Sequence, residues 1–150
     1  MERHTQYGDG SSTSGSGLYI STHVRRTSAG SYLAKLKIPA TGSLTLEIDR
    51  APVSGPDVVL QSSVAVPGLA YELGDTLNLR VQAVGSAPTV LNAKVWKAGM
   101  PEPAAWLRTV SDNTPGMQTA GSVGVGAYLS SLATTSPVTV KFDELTVTAP

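Results

Sequence analysis

The sequence predicts an all-β protein, a two-sheet antiparallel sandwich. Apolar residues recur at every second position in run after run, turn residues break the runs at regular intervals, and no helical period is long enough to cover a sheet. Composition agrees with this. The 150 residues include 15 glycines and 10 prolines, and serine, threonine and valine are abundant, which suits strands and turns better than helices. A closed barrel is the main architectural rival.

The length fits one domain with a substantial core. Residues 1–17 read as a flexible N-terminal segment or partial strand followed by a Gly/Ser loop, GDGSSTSGSG, and residues 18–150 as the sandwich. In Leu18–Arg26, Leu18, Ile20, Thr22 and Val24 share one face, with Tyr19, Ser21, His23 and Arg25 on the other. Tyr32–Ile38 turns Tyr32, Ala34, Leu36 and Ile38 inward and Lys35 and Lys37 outward, and Leu44, Leu46 and Ile48 form a third inward row. Val58–Val66, Thr76–Val84 and Thr89–Trp96 follow, separated by VPG and GSAP turn signals. Gly121–Leu129 and Val138–Val147 complete the set. The alternation slips at Asp143–Glu144, as a β-bulge would require.

Charge and composition exclude several classes of function. Eleven basic residues balance eleven acidic ones, and only 15% of residues are charged, so the electrostatic footprint that nucleic acid or an anionic membrane demands is missing. No apolar run is long enough for a membrane helix, and the first residues lack a secretory signal. Any export signal is expected upstream in a longer precursor. With no cysteine there is neither a disulfide framework nor a thiolate site. Serines are plentiful, but there is no Gly-x-Ser-x-Gly elbow, and only His4 and His23 could act as base. His4 falls in the segment read as flexible, and His23 reads as a solvent-face strand residue. The Gly121–Gly126 run lies in β-alternating sequence with no helix after it, so it is not a phosphate loop.

Three segments carry a family resemblance: LRVQAVGSAPTVLNAKVWKAGMPEPAAW (79–106), SDNTPGMQTAGSVGVGAYLS (111–130) and VTVKFDELTV (138–147). Together they resemble a concanavalin A-like lectin/glucanase domain of the laminin-G-like kind, as found in secreted actinobacterial proteins and in minor tail proteins of phages that infect actinobacteria. The resemblance covers most of the chain from Tyr19 onward. It implies a jelly-roll sandwich, a location in a virion or outside the cell, and a non-catalytic module that attaches its parent to a glycan or cell-wall polysaccharide. A structural or interaction domain without a sugar site is the second reading, and a glycoside hydrolase the third. Members of this group usually carry an additional opening segment, so an edge strand is expected to be missing, short or supplied by a neighbour. An unpaired edge would favour self-association or docking against a neighbouring virion protein.

Glucanases of this fold class carry Glu-x-Asp-x-Glu on one strand, so that alternate carboxylates enter the cleft. Here the string is Glu47-Ile48-Asp49-Arg50-Ala51, which lacks the third carboxylate. Glu47 and Asp49 are therefore expected as solvated side chains, and no catalytic residue is assigned. Jelly-roll modules of related architecture often hold a structural calcium near the first and last strands, and Asp143 is the matching acidic residue. Its partners would come largely from the opening segment, so a solvated or hydrogen-bonded aspartate beside the bulge is the expected role, and no cofactor is assigned.

Sugar rings stack their C–H faces on aromatic planes and need planar polar partners for their hydroxyls. Trp96 alternates with Lys94 and Asn92, and the preceding strand offers Asn78, Arg80 and Gln82. If these faces meet, they form a shallow polar groove with one aromatic platform, which Tyr19, His23, Arg25 and Tyr128 could join. The ligand-binding candidates are thus Trp96, Arg80, Asn92, Lys94, Gln82, Tyr128 and Arg25. Core packing is the alternative role for Trp96 and Trp106.

Overall fold

The computed structural model describes residues 2–9, 17–40, 43–134 and 137–149. Its strands are β1 (Glu2–Asp9), β2 (Leu18–Thr27), β3 (Gly30–Ile38), β4 (Ser43–Pro52), β5 (Val58–Ala70), β6 (Thr76–Val84), β7 (Thr89–Lys97), β8 (Arg108–Asp112), β9 (Ser122–Leu129) and β10 (Val140–Thr148). They form two five-stranded antiparallel sheets, sheet A in the order β10-β1-β6-β7-β8 and sheet B in the order β5-β4-β3-β2-β9. The protein is a β-sandwich. Neither sheet order closes on itself, which separates it from a barrel.

The inward rows meet between the sheets. Leu18, Ile20 and Val24 of β2, Tyr32, Ala34, Leu36 and Ile38 of β3, and Leu44, Leu46 and Ile48 of β4 are all buried in one cluster. They pack against Leu77, Leu79, Val81 and Ala83 of β6 and Leu91, Ala93 and Val95 of β7. Each fully buried Leu, Ile or Val contributes about 1.5–3 kcal/mol, so this shared face dominates the stability of the fold. Register follows from it, because a slip of one residue would turn the whole row to solvent. The hairpin that joins β2 to β3 ends at Gly30, whose φ is 142° and where a Cβ would stand 2.3 Å from the Ala51 carbonyl oxygen.

Two strands stand outside the sequence-based set. Glu2–Asp9, read as a flexible segment or partial strand, is hydrogen-bonded on both sides, to β6 and to β10. Residues 10–16 of the Gly/Ser loop lie outside the described residues. Arg108–Asp112 adds the short edge strand β8 beside β7. The slip near Asp143 coincides with a register shift in the β1–β10 ladder, and Glu144 there has a φ of 49°.

A polar clamp ties the sheets at one end. The Tyr32 ring is fully buried, and its hydroxyl donates to Asp112 Oδ2 (2.7 Å) while accepting from Gln118 Nε2 (3.0 Å). Arg50 reaches Asp112 Oδ1 from β4 at 3.2 Å, and Thr114 donates its N–H to Oδ2 (2.9 Å). Burial raises the Tyr32 hydroxyl to about 12, helped by the Asp112 carboxylate. The same burial opposes ionisation of Asp112, but the Tyr32 and Thr114 donors and Arg50 outweigh it and hold this carboxyl below its usual range.

Candidate functional site

The face of sheet B that turns away from the core carries a pocket of about 530 Å³. Four strands build it, because alternation aims every second side chain of each outward and the strand order sets them side by side. β2 supplies Tyr19, Ser21 and His23; β3 supplies Leu33 and Lys35; β4 supplies Glu47; β9 supplies Tyr128. Asp57, in the turn before β5, closes one end. An adjoining hollow of about 240 Å³ shares Tyr19, Lys35 and Glu47 and adds Lys37 and Thr45.

Tyr19 and Tyr128 are cross-strand partners with ring centroids 6.0 Å apart and a 49° tilt. Tyr128 is 61% exposed, so its ring is presented to solvent beside the pocket. Next to this pair the strand β9 has no side chains on the same face. Gly126 pairs with Ser21 and Gly124 with His23, and a Cβ on Gly126 would stand 2.8 Å from Ser21 Oγ. Arg26 lies over Gly124, where a Cβ would meet its Nη1 at 3.1 Å, so the bare floor is at Gly126 and ends in the aromatic wall of Tyr128.

At the other side lies a charged group. Lys35 Nζ is 3.4 Å from Glu47 Oε1 and 3.1 Å from Asp57 Oδ2, and it also donates to Asp49 Oδ2. Asp49, expected as a solvated carboxylate, is instead fully buried, and its Oδ1 accepts no hydrogen bond. Asp49 stands between Leu33 of β3 and Val59 of β5 with Lys35 bonded to it, and only Glu47 of the pair reaches the pocket. Burial pushes the Asp49 carboxyl up against the pull of the ammonium. Lys35 loses some hydration too, but its bonds to Asp49 and Asp57 outweigh that and hold it charged. His23 is half-buried, with its Nδ1 2.9 Å from Ser31 Oγ and its Nε2 3.1 Å from Ser21 Oγ.

The residues expected to form a groove do meet, on the outer face of sheet A, but the chain itself covers them. Asn92 Nδ2 donates to Gln82 Oε1 (2.9 Å), and Thr109 Oγ1 donates to Asn92 Oδ1 (2.8 Å). Lys94 donates to the Pro103 carbonyl (2.7 Å) and lies 2.8 Å from Glu102 Oε1, which also takes Arg80 at 2.5 Å. Trp106 lies over both cations, 4.6 Å from Lys94 Nζ and 6.0 Å from Arg80 Cζ. The hydrogen bond from Lys94 leads in holding the Glu102 carboxyl below its usual range. Beneath this strap Lys94 and Trp96 are buried, and Trp96 stands outside the inter-sheet core cluster.

Arg25 and Asp143 sit elsewhere. Arg25 interrupts the alternation of β2 at a bulge, with a φ of 49°, and its guanidinium donates to Thr89 Oγ1 and the Gly85 carbonyl across the sandwich (both 2.5 Å). It therefore ties the sheets together. Asp143 accepts the N–H of Glu144 at 2.8 Å. Among the described residues no three His, Cys, Asp or Glu side chains gather where they could hold a metal.

Of the pocket residues, Tyr19, His23 and Tyr128 are among the sequence candidates, whereas Lys35, Glu47 and Asp57 are not. The outward rows of β2, β3 and β4 are legible as rows. Their adjacency across strands comes only with the strand order. No protein-family model matches the chain, and neither a curated protein nor a solved structure matches it.

Proposed function

We propose that the protein is a non-catalytic carbohydrate-binding module of the concanavalin A-like, jelly-roll kind, carried by a phage tail protein or a secreted actinobacterial protein and working in a virion or outside the cell. The sheet B pocket is the sugar site. The observation that carries this reading is the joining, in one open pocket, of the half-buried Tyr19 and exposed Tyr128 rings with Lys35, Glu47 and Asp57. The rings offer apolar plates for sugar C–H faces, and the ammonium and carboxylates offer donors and acceptors for hydroxyls. The bare β9 floor lets a ring lie against the sheet.

Calorimetry against actinobacterial cell-wall polysaccharides, after a glycan array, tests the reading. Saturable binding is expected, weakened roughly tenfold or more by Tyr128→Ala, and by Gly126→Leu, which fills the floor. Gly126 has no positive φ, so a β-tolerant side chain strains no backbone there. Arg80→Ala distinguishes the two faces: unchanged affinity places the ligand on sheet B, whereas loss moves it to the covered face of sheet A. Absence of saturable binding across the array would sink the proposal.

A second reading, an interaction domain that self-associates or decorates a larger assembly, is favoured by one feature. The sheet A edge strand β10 carries Leu145 and Val147 exposed at 50% and 46%. Light scattering decides it, since concentration-dependent association lost in Leu145→Lys would support edge pairing.

A further inference from the structure

Resting on the reading that the sheet B pocket takes a glycan, we infer that its ligand is a sugar bearing a free, protonated amine, an unsubstituted amino sugar rather than an N-acylated or uronic one. The charge around the pocket carries this. A single ammonium, Lys35, is shared by Glu47, Asp57 and the fully buried Asp49. With Asp49 ionised the group is left doubly negative, and with it neutral singly negative. Two further cations share this face without lining the pocket: Lys37 lines the smaller hollow and stands 5.6 Å over the Tyr19 ring, and Arg26 lies over Gly124 beside His23. Among the side chains that line the pocket the negative excess therefore lies with Glu47 and Asp57.

Geometry points the same way. Glu47 and Asp57 each give one oxygen to Lys35, and each keeps a second for a ligand, their side chains being 21% and 40% exposed. A second ammonium brought by the ligand would balance the group, and three donors in a compact head suit divergent acceptors. The Tyr19 and Tyr128 faces attract a cation as well as C–H groups. An N-acyl group removes the charge and two of the donors, and a uronate adds repulsion.

The test is calorimetry of the full chain with three oligosaccharides of equal length: β-linked glucosamine, its N-acetylated form and a uronate, below the pKa of the sugar amine. The free-amine ligand is expected to bind roughly fivefold tighter or more than the N-acetylated one. That margin shrinks in added salt and disappears in Glu47→Gln/Asp57→Asn, whose thermal melt is recorded to show that the fold persists. Equal binding of the amine and N-acetyl forms, or tighter binding of the uronate, overturns the inference and leaves the sugar site standing. A margin that survives the double substitution overturns the assignment to these carboxylates. Absence of binding by all three overturns the inference, while array binding of other sugars at Tyr128 would still preserve the site.

Discussion

Thr22 shows how a single atom departs from the pattern around it. It sits in the inward row of β2, fully buried between Ile20 and Val24, and its hydroxyl has no hydrogen-bond partner. Leaving such a group unpaired costs about 1–3 kcal/mol, whereas an apolar group of the same shape costs nothing of the kind. Thr22→Val is therefore expected to stabilise the protein by about 1 kcal/mol, read as a higher urea midpoint at unchanged slope. A lower midpoint would mean that the hydroxyl has a role the structure does not show. The burial of Thr22 was legible from alternation alone. That of Asp49 was not, because its outward position says nothing of the Lys35 ammonium that pairs with it from the neighbouring strand.

At the scale of elements, the strands that were legible are those whose own residues carry the period of two. Leu18–Thr27, Gly30–Ile38 and Thr76–Val84 bury the same alternate residues that the sequence marks. β1 is different. Its residues, ERHTQYGD, contain no apolar alternation, yet it runs between β6 and β10 in sheet A. What holds it is the backbone ladder on two sides, to which any residue except proline can contribute. Thr5→Pro should accordingly destabilise the fold by about 3 kcal/mol or more, measured by chemical denaturation, because Thr5 pairs with Leu79 inside that ladder. A loss below about 0.5 kcal/mol would show that β1 is dispensable. The strap between β7 and β8 is the converse case: Trp96, Lys94, Asn92 and Arg80 share a face as their spacing demands, but Glu102, Pro103 and Trp106 take up the Lys94 and Arg80 cations, while Gln82 and Thr109 take up the Asn92 amide.

For the whole molecule, the union of the two sheets rests on the core and on the clamp around Asp112. The folded state holds the Asp112 carboxyl low, so it contributes stability that is complete above its unfolded value of about 3.9 and is lost as pH falls through the folded value. Asp112→Asn is expected to cost about 2 kcal/mol at neutral pH and to flatten the acid limb of stability against pH. Urea midpoints at neutral and acid pH give both numbers, and an acid limb as steep in the variant as in the parent would assign it to other carboxylates. Asp49 works in the opposite sense. Its raised carboxyl regains stability on acidification and so partly masks the Asp112 limb. The sequence by itself determined the all-β class and the inward rows, because alternation is a local property written in adjacent residues, whereas the choice of sandwich over barrel came with the strand order. Only the tertiary structure decided which outward rows become neighbours. The order β5-β4-β3-β2-β9 gathers Tyr128, Tyr19, Lys35 and Glu47 from four separate strands into one pocket, and cross-strand proximity has no counterpart in local spacing.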